Sequence, residues 1–321
     1  AALIFGDEGK ITLVNGIRQQ VVSINEGTGG GDTITGNDDD DIVIGGTGND
    51  IINAGEGNNL VIGDNGQVDY SAGVLIAVQT TAPSIGGNDK IEGGFGNDII
   101  LGGIGNDDVS AGDGNNIVIG DNGLIQYNVL VADGFDGQTG TIDLIMTTAP
   151  EEGGGDDVIT VGVGNDIIIG GDNDAGGLDK DKIDAGEGNN IVIGDNGRIV
   201  LHSGALDLVE STEAGVLDEL GNVVTPAQGG DDEITSGSGN DTIITGYGND
   251  TVTVAGGANI VIGDSGRIDY TQGTGSVERI EAIDPSFGGI DTITTGGGND
   301  IVLGGNAGDI IDTGNGNNIA L

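Results

Sequence analysis

The chain has 321 residues, no cysteine, no tryptophan and one histidine, and its 53 acidic residues against eight basic ones give a net charge of −45. Such a surface repels phosphate and excludes nucleic acid as a partner, disulfide staples are excluded, and one imidazole without a thiol cannot furnish a nucleophile, a base and an orienting group, so the chain reads as a non-enzyme. No run of eighteen apolar residues occurs, so no membrane span is expected.

In chain order, residues 1–26 open with Leu3-Ile4-Phe5-Gly6-Asp7-Glu8-Gly9 and continue into the alternating Lys10-Ile11-Thr12-Leu13, the end of one module followed by a hairpin. From residue 27 the chain is written in rows of nine, four rows to a block, in blocks 27–62, 84–119, 152–193, 227–262 and 286–321. Six residues, Gly170 to Ala175, interrupt the third block. The plainest row is Gly45-Gly46-Thr47-Gly48-Asn49-Asp50-Ile51-Ile52-Asn53. Position six reads Asp32, Asp41, Asp50, Asn59 in the first block and Asp89, Asp98, Asp107, Asn116 in the second. It continues as Asp157, Asp166, Asp181, Asn190, then Asp232, Asp241, Asp250, Asn259, then Asp291, Asp300, Asp309, Asn318.

Each block that has residues after it is followed by Gly-Asp-Asn-Gly or, once, Gly-Asp-Ser-Gly, with its acid at Asp64, Asp121, Asp195 or Asp264; Asp7 holds the same place near the start. Inserts follow that alternate and turn. Gln67-Val68-Asp69-Tyr70, Ser71-Ala72-Gly73 and Val74 to Val78 read as a hairpin, and Arg198 to Leu201 and Arg267 to Tyr270 begin in the same way. Pro83, Pro150, Pro226 and Pro285, the only prolines, close the inserts and reset the chain into the next block. The expected units are therefore 1–26 (module end plus hairpin), 27–83, 84–151, 152–226 and 227–285 (roll plus hairpin each), and 286–321 (a roll without its hairpin).

Each position has a physical task. Position eight is Ile or Val in every row but that of Ala320, and a β-branched residue between two outward neighbours makes a three-residue strand with one side chain turned in. Glycines supply positive-φ turns. The aspartate and the turn carbonyls supply hard oxygens of the kind Ca²⁺ takes six to eight at a time. Position four is not glycine at Asp39, Asp179 and Ala307, whose turns are expected to be distorted or metal-free. Acids phased with aliphatics separate this chain from an acidic disordered tract. Stacked carboxylates about 4 Å apart repel by about 4 kcal/mol unless a cation lies between them, so order is expected to depend on the ion.

The row Gly-Gly-x-Gly-x-Asp-x-U-x resembles the RTX, or hemolysin-type calcium-binding, repeat family, and the resemblance covers all five blocks. It implies an all-β fold, a β-solenoid of parallel calcium-binding β-rolls, in which two rows make one coil and Ca²⁺ lies between rows n and n+2. Odd turns would then align Asp32, Asp50 and Asp64 on one edge, and even turns Asp41 and Asn59 on the other. Asn would ligate through its neutral carbonyl and mark a weaker site or a column's end. Asp64 and its equivalents Asp121, Asp195 and Asp264 would close the odd column; a plain type I′ hairpin turn is the equal alternative.

The resemblance also implies a secreted or cell-surface protein. Five roll units with nothing else favour a structural segment such as an adhesin stalk, an S-layer segment or a filament; the alternative is the repeat region of a type I-exported toxin or enzyme. An ice-binding roll needs a flat rank of Thr and Asn, whereas position three reads Thr47, Phe95, Ile104, Val163, Ser238 and Tyr247. The unfinished rows at both ends suggest continuation into further modules or further copies of the chain, and His202, in an alternating stretch, reads as a plain strand residue.

Overall fold

The computed structural model describes residues 1–127, 140–149, 154–171, 180–212, 216–217, 223–225, 229–284 and 288–321. Pro150, Pro226, Pro285 and Asp179 lie outside these residues. Pro83 stands in the turn in which the Ile85 N–H donates to the Ala82 carbonyl (2.8 Å), where the insert meets the next block.

Among the described residues the rows sort by parity into two parallel sheets. First and third rows, such as Thr33–Thr35, Ile51–Asn53, Lys90–Glu92 and Asp108–Gly112, form a ten-stranded sheet; second and fourth rows, such as Ile42–Ile44, Leu60–Ile62, Ile99–Leu101 and Ile117–Ile119, join Leu3–Phe5 in an eleven-stranded one. Neither sheet breaks at a block boundary. Across the first insert Ile52 pairs with Ile91 and Val61 with Ile100, in the register used inside the blocks. One roll thus runs on past the first insert, whose hairpin strands Gly66–Ser71 and Val74–Thr80 lie between the paired strands Leu60–Ile62 and Ile99–Leu101 in the chain.

Position eight does what its chemistry dictates. Ile34, Val43, Ile52, Val61, Ile91 and Ile100 begin a single file of buried aliphatics between the two sheets, running on to Val302. The outer face of the ten-stranded sheet is mostly polar, with Lys90 paired to Asp108 and Lys180 and Lys182 to Glu233, though Ile51, Val158 and Ile310 are exposed on it.

The hairpins do not stand alone. Gly9–Val14 with Ile17–Ser23, Gly66–Ser71 with Val74–Thr80, Gly123–Tyr127 with Ile142–Thr147, Gly197–His202 with Ala205–Ser211, and Gly266–Thr271 with Ser276–Ala282 pair edge to edge into a third, ten-stranded antiparallel sheet. Val21 faces Val68, Val78 faces Ile125, Ile145 faces Ile199 and Val209 faces Ile268 across the seams. This sheet covers the eleven-stranded one and makes a second core with position nine of the even rows, Ile44, Ile62, Leu101, Ile119, Ile169, Ile193, Ile244 and Ile262. The central strands are thus buried on both faces, which is why their three residues are nearly all aliphatic, while odd rows end in polar residues such as Thr35, Asn53, Glu92 and Ser110.

Tight turns with two consecutive positive-φ residues close three hairpins, at Asn15-Gly16 (52° and 80°), Ala72-Gly73 (50° and 85°) and Ser203-Gly204 (55° and 78°). The Gly-Asp-Asn-Gly segment is no such turn. Neither Asp64 nor Asn65 has positive φ, and the strand before it belongs to the central sheet while the strand after it opens the hairpin sheet. The type I′ alternative is therefore replaced by a step between sheets.

Candidate metal-binding turns

Each position-six side chain reaches the same turn two rows away. On the odd edge the N–H of Asp32 donates to Asp50 Oδ1 (2.6 Å), that of Asp50 to Asp89 (2.8 Å), of Asp89 to Asp107 (2.7 Å) and of Asp107 to Asp157 (2.7 Å). The file continues through Asp181, Asp232, Asp250 and Asp291 to Asp309. Every member is an aspartate. On the even edge Asp41 donates to Asn59 (2.9 Å), Asn59 to Asp98 (2.7 Å), Asp98 to Asn116 (3.0 Å) and Asn116 to Asp166 (2.7 Å). From there Asn190, Asp241, Asn259, Asp300 and Asn318 follow.

Two sequence expectations change here. Asn59 does not end a column, because each file crosses the inserts, and the even edge alternates Asp with Asn. Asp64 does not close the odd column either, since Asp50 donates past it to Asp89.

The second carboxylate oxygen is where an ion would be held. Oδ2 of Asp50, Asp89, Asp107, Asp157 and Asp291 accepts no hydrogen bond although these residues are 3% exposed or less. A buried carboxylate oxygen without a donor is costly, so the turns are electrostatically unfinished. The glycine at position one makes room for it: a Cβ on Gly63 would run into both Asp89 Oδ2 and the Gly102 carbonyl, and one on Gly102 into Asp107 Oδ2 and the Gly120 carbonyl. Carboxylate and carbonyl oxygen thus converge on one gap in turn after turn. Among the described residues no three carboxylate or imidazole side chains converge, so an ion here draws on turn carbonyls as much as on acids. All-oxygen donors of this kind fit calcium.

Burial drives the electrostatics. It raises Asp50 to about 6 and Asp89 and Asp291 to about 8, with neighbouring acids adding to the effect and backbone N–H donors opposing it. Burial also takes Asp107 and Asp157 well above the carboxylate range, Asp107 further beside Asp157 and Asp89. On the even edge burial raises Asp98 and Asp166 to about 6, where the backbone N–H and the side-chain amide of Asn59 or Asn116 restrain the rise. Their Oδ2 atoms nonetheless accept no hydrogen bond.

In the asparagine turns Oδ1 is taken by the N–H two rows back, and the side-chain amide faces the turn carbonyls. Asn59 Nδ2 donates towards Gly55 O (3.2 Å), Gly57 O (3.3 Å) and Gly93 O (3.1 Å); Asn116 Nδ2 donates to Gly112 O (3.0 Å) and Gly114 O (3.2 Å). The carbonyl expected to ligate an ion is already bonded.

Asp64 lies on the odd edge beside the file. Its Oδ1 accepts from Gly87 N–H (2.9 Å) and its Oδ2 from Ile104 N–H (2.7 Å), clamping the returning turn to the one two rows on. Asp195 holds Gly230 and Tyr247, and Asp264 holds Gly289 and Asn306, in the same way; Asp121 lies against Gly171 at its own clamp position, and Asp7 accepts from Thr47 N–H (2.6 Å). Burial, more than the nearby Asp89, raises Asp64 to about 9.

Of the irregular turns, Ala307 keeps a positive φ of 76°, whereas Asp39 does not and Asn37 N–H donates to Asp41 Oδ2 instead (2.9 Å). Position five was left without a task. Its side-chain carbonyls form exposed ladders running the other way, with Asn97 N–H donating to Asn58 Oδ1 (2.8 Å) and Asn115 N–H to Asn97 Oδ1 (2.7 Å). The recurring Asn at Asn49, Asn58, Asn88, Asn97, Asn106 and Asn115 was the signal for it.

A parallel roll of nine-residue rows with acidic turns stacked into two files defines a repeat solenoid of the calcium-binding class. The RTX calcium-binding nonapeptide repeat matches residues 26–66, 85–123, 153–174, 175–198, 227–261 and 286–320, more than half of the chain. The chain belongs to that family. No curated protein matches it.

Proposed function

We propose that this chain is a calcium-dependent structural segment of a secreted or cell-surface protein, an adhesin stalk, S-layer segment or extracellular filament, that folds and stiffens when Ca²⁺ enters the turns. The observation that carries the reading is the odd file, ten aspartates in unbroken register, of which Asp50, Asp89, Asp107, Asp157 and Asp291 hold a buried oxygen that accepts no hydrogen bond, on a roll that is continuous through every block. A roll whose charge must be neutralised turn by turn is a rod that forms only where calcium is abundant, as it is outside cells.

Small-angle scattering tests it. In millimolar calcium a folded chain of this length has a radius of gyration of roughly 20 Å or somewhat more for a rod, and in chelator an unfolded one approaches roughly 64 Å. Magnesium should not substitute, because it demands a smaller, stricter octahedron. A compact rod of equal size in chelator would refute the reading.

A further inference from the structure

We infer that the asparagine turns of the even edge are metal-free by construction: the side-chain amide of Asn59, Asn116 and Asn190 fills the carbonyl cage that the aspartate turns leave for an ion. Calcium then loads the odd edge turn after turn and the even edge at alternate turns at most. The inference rests on the calcium-binding reading above and concerns how this chain's own residues divide the work.

The cage can be identified by comparing turns. In the aspartate turn of Asp41, a Cβ on Gly36 would meet Asp41 Oδ2 and the Ala54 carbonyl; in that of Asp98, a Cβ on Gly93 would meet Asp98 Oδ2 and the Ala111 carbonyl. The recurring carbonyl belongs to position one, two rows on. In the asparagine turn of Asn59 the same carbonyl is Gly93 O, and it accepts from Asn59 Nδ2, as do Gly55 O and Gly57 O of the turn itself. Asn190 Nδ2 faces Gly186 O (3.4 Å), Gly188 O (3.5 Å) and Ser236 Oγ (3.3 Å). A neutral group with two N–H donors thus occupies the place where the Asp98 and Asp166 turns present an oxygen that accepts no hydrogen bond; in the irregular turn of Asp41 that oxygen accepts from Asn37 N–H.

The orientation is determined by the backbone. Exchanging N and O in an Asn side chain is ordinarily a free choice, but here Oδ1 of Asn59 accepts from Asp41 N–H and Oδ1 of Asn116 from Asp98 N–H. Reversing the amide would set N–H against N–H there and carbonyl against carbonyl in the cage. Position one does not decide the matter: it is the core residue Ala54, Ala111 or Ala185 before Asn59, Asn116 and Asn190, and Gly36 or Gly93 before Asp41 and Asp98, but the core residue Val161 before Asp166.

The test is equilibrium dialysis of the full chain against radiolabelled calcium at saturation. The triple variant N59A/N116A/N190A should bind as many ions as the unaltered chain while needing more calcium to fold. The isosteric N59D/N116D/N190D should bind up to three more, and D98A/D166A up to two fewer. Loss of about three ions in the alanine triple, or no gain in the aspartate triple, overturns the inference while leaving calcium binding intact; no binding by the unaltered chain overturns both. Should a variant not fold, hydrogen exchange of Asn side-chain amides in the calcium-loaded unaltered chain decides. Slow exchange at Asn59, Asn116 and Asn190 supports amides held in the cage, and fast exchange overturns it.

Discussion

Protons should be able to do part of calcium's work. Burial makes the charged form of Asp50, Asp89, Asp98, Asp107, Asp157, Asp166 and Asp291 less favourable in the folded chain than in the unfolded one, so the folded chain takes up protons as it forms. Stability from this source is complete below the unfolded value near 3.8 and is lost as pH rises through the folded values, first near 6 and then near 8. Asp50, Asp98, Asp166 and Asp264 each rise from 3.8 to about 6. One pKa unit is about 1.4 kcal/mol, so each of these four forfeits up to about 3 kcal/mol between pH 4 and neutrality. A few such losses weigh heavily against the stability of a typical domain, roughly 5–15 kcal/mol. Calcium-stripped chain should therefore show β-type circular dichroism near pH 5 and coil at pH 8, where calcium restores the β signal. About 1 M sodium chloride separates buried from surface repulsion, because it screens exposed charges beyond roughly 3 Å but not buried pairs. Identical spectra at both pH values without calcium would refute the reasoning, and folding by salt alone at pH 8 would place the repulsion on the surface.

Three substitutions test the layers separately. Ile119→Ala, in the core beneath the hairpins and 0% exposed, should cost about 2–5 kcal/mol in calcium-saturated denaturant melts and speed hydrogen exchange in the hairpin sheet before the roll; uniform loss would mean the two cores are one cooperative unit. Asp64→Ala strands the Gly87 and Ile104 amides and should cost about 2–6 kcal/mol in the same melts, with faster exchange at those two amides. Ala307→Gly removes a left-handed alanine at φ 76° and should raise stability by up to about 1 kcal/mol, and a loss would show that the turn does not need glycine's freedom.

The parts of this fold that could be read in the sequence are those set by spacing along the chain. Ile52 points inward because Ile51 and Asn53 cannot, and the phased rows between Gly45 and Ile62 give strand, turn and parity without any long-range information. The second core had a visible mark, aliphatic Ile44, Ile62, Leu101 and Ile119 against polar Thr35, Asn53, Glu92 and Ser110, but a three-residue strand apolar at every position discloses a second covered face only when the covering layer is known. The partner of Asp50 could not be found by counting, since Asp89 is 39 residues away beyond a hairpin. The amide direction of Asn59 was equally hidden, because it depends on one N–H from Asp41 in the turn before it.

The hairpins and the odd file also explain one another. Gly63 occupies position one of the odd turn that Asp89 completes, so the hairpin is spliced into the middle of a turn and its two halves must be brought together over the strands Gly66–Ser71 and Val74–Thr80. Asp64 draws them together by binding the Gly87 and Ile104 amides, and its equivalents Asp195 and Asp264 do the same at later excursions. Every described excursion of this kind leaves from the odd edge, the edge with an acid in every turn; the even edge, never interrupted by a hairpin, has amides in alternate turns to satisfy its carbonyls. With strands about 4.8 Å apart, neighbouring charges in the odd file repel by about 3.5 kcal/mol at an effective dielectric near 20. The edge that must close around inserted chain is thus also the edge least able to close without an ion. Placing the carboxylates there ties the docking of the hairpin sheet to the same neutralisation that forms the roll, so that all three sheets lengthen together with each pair of coils.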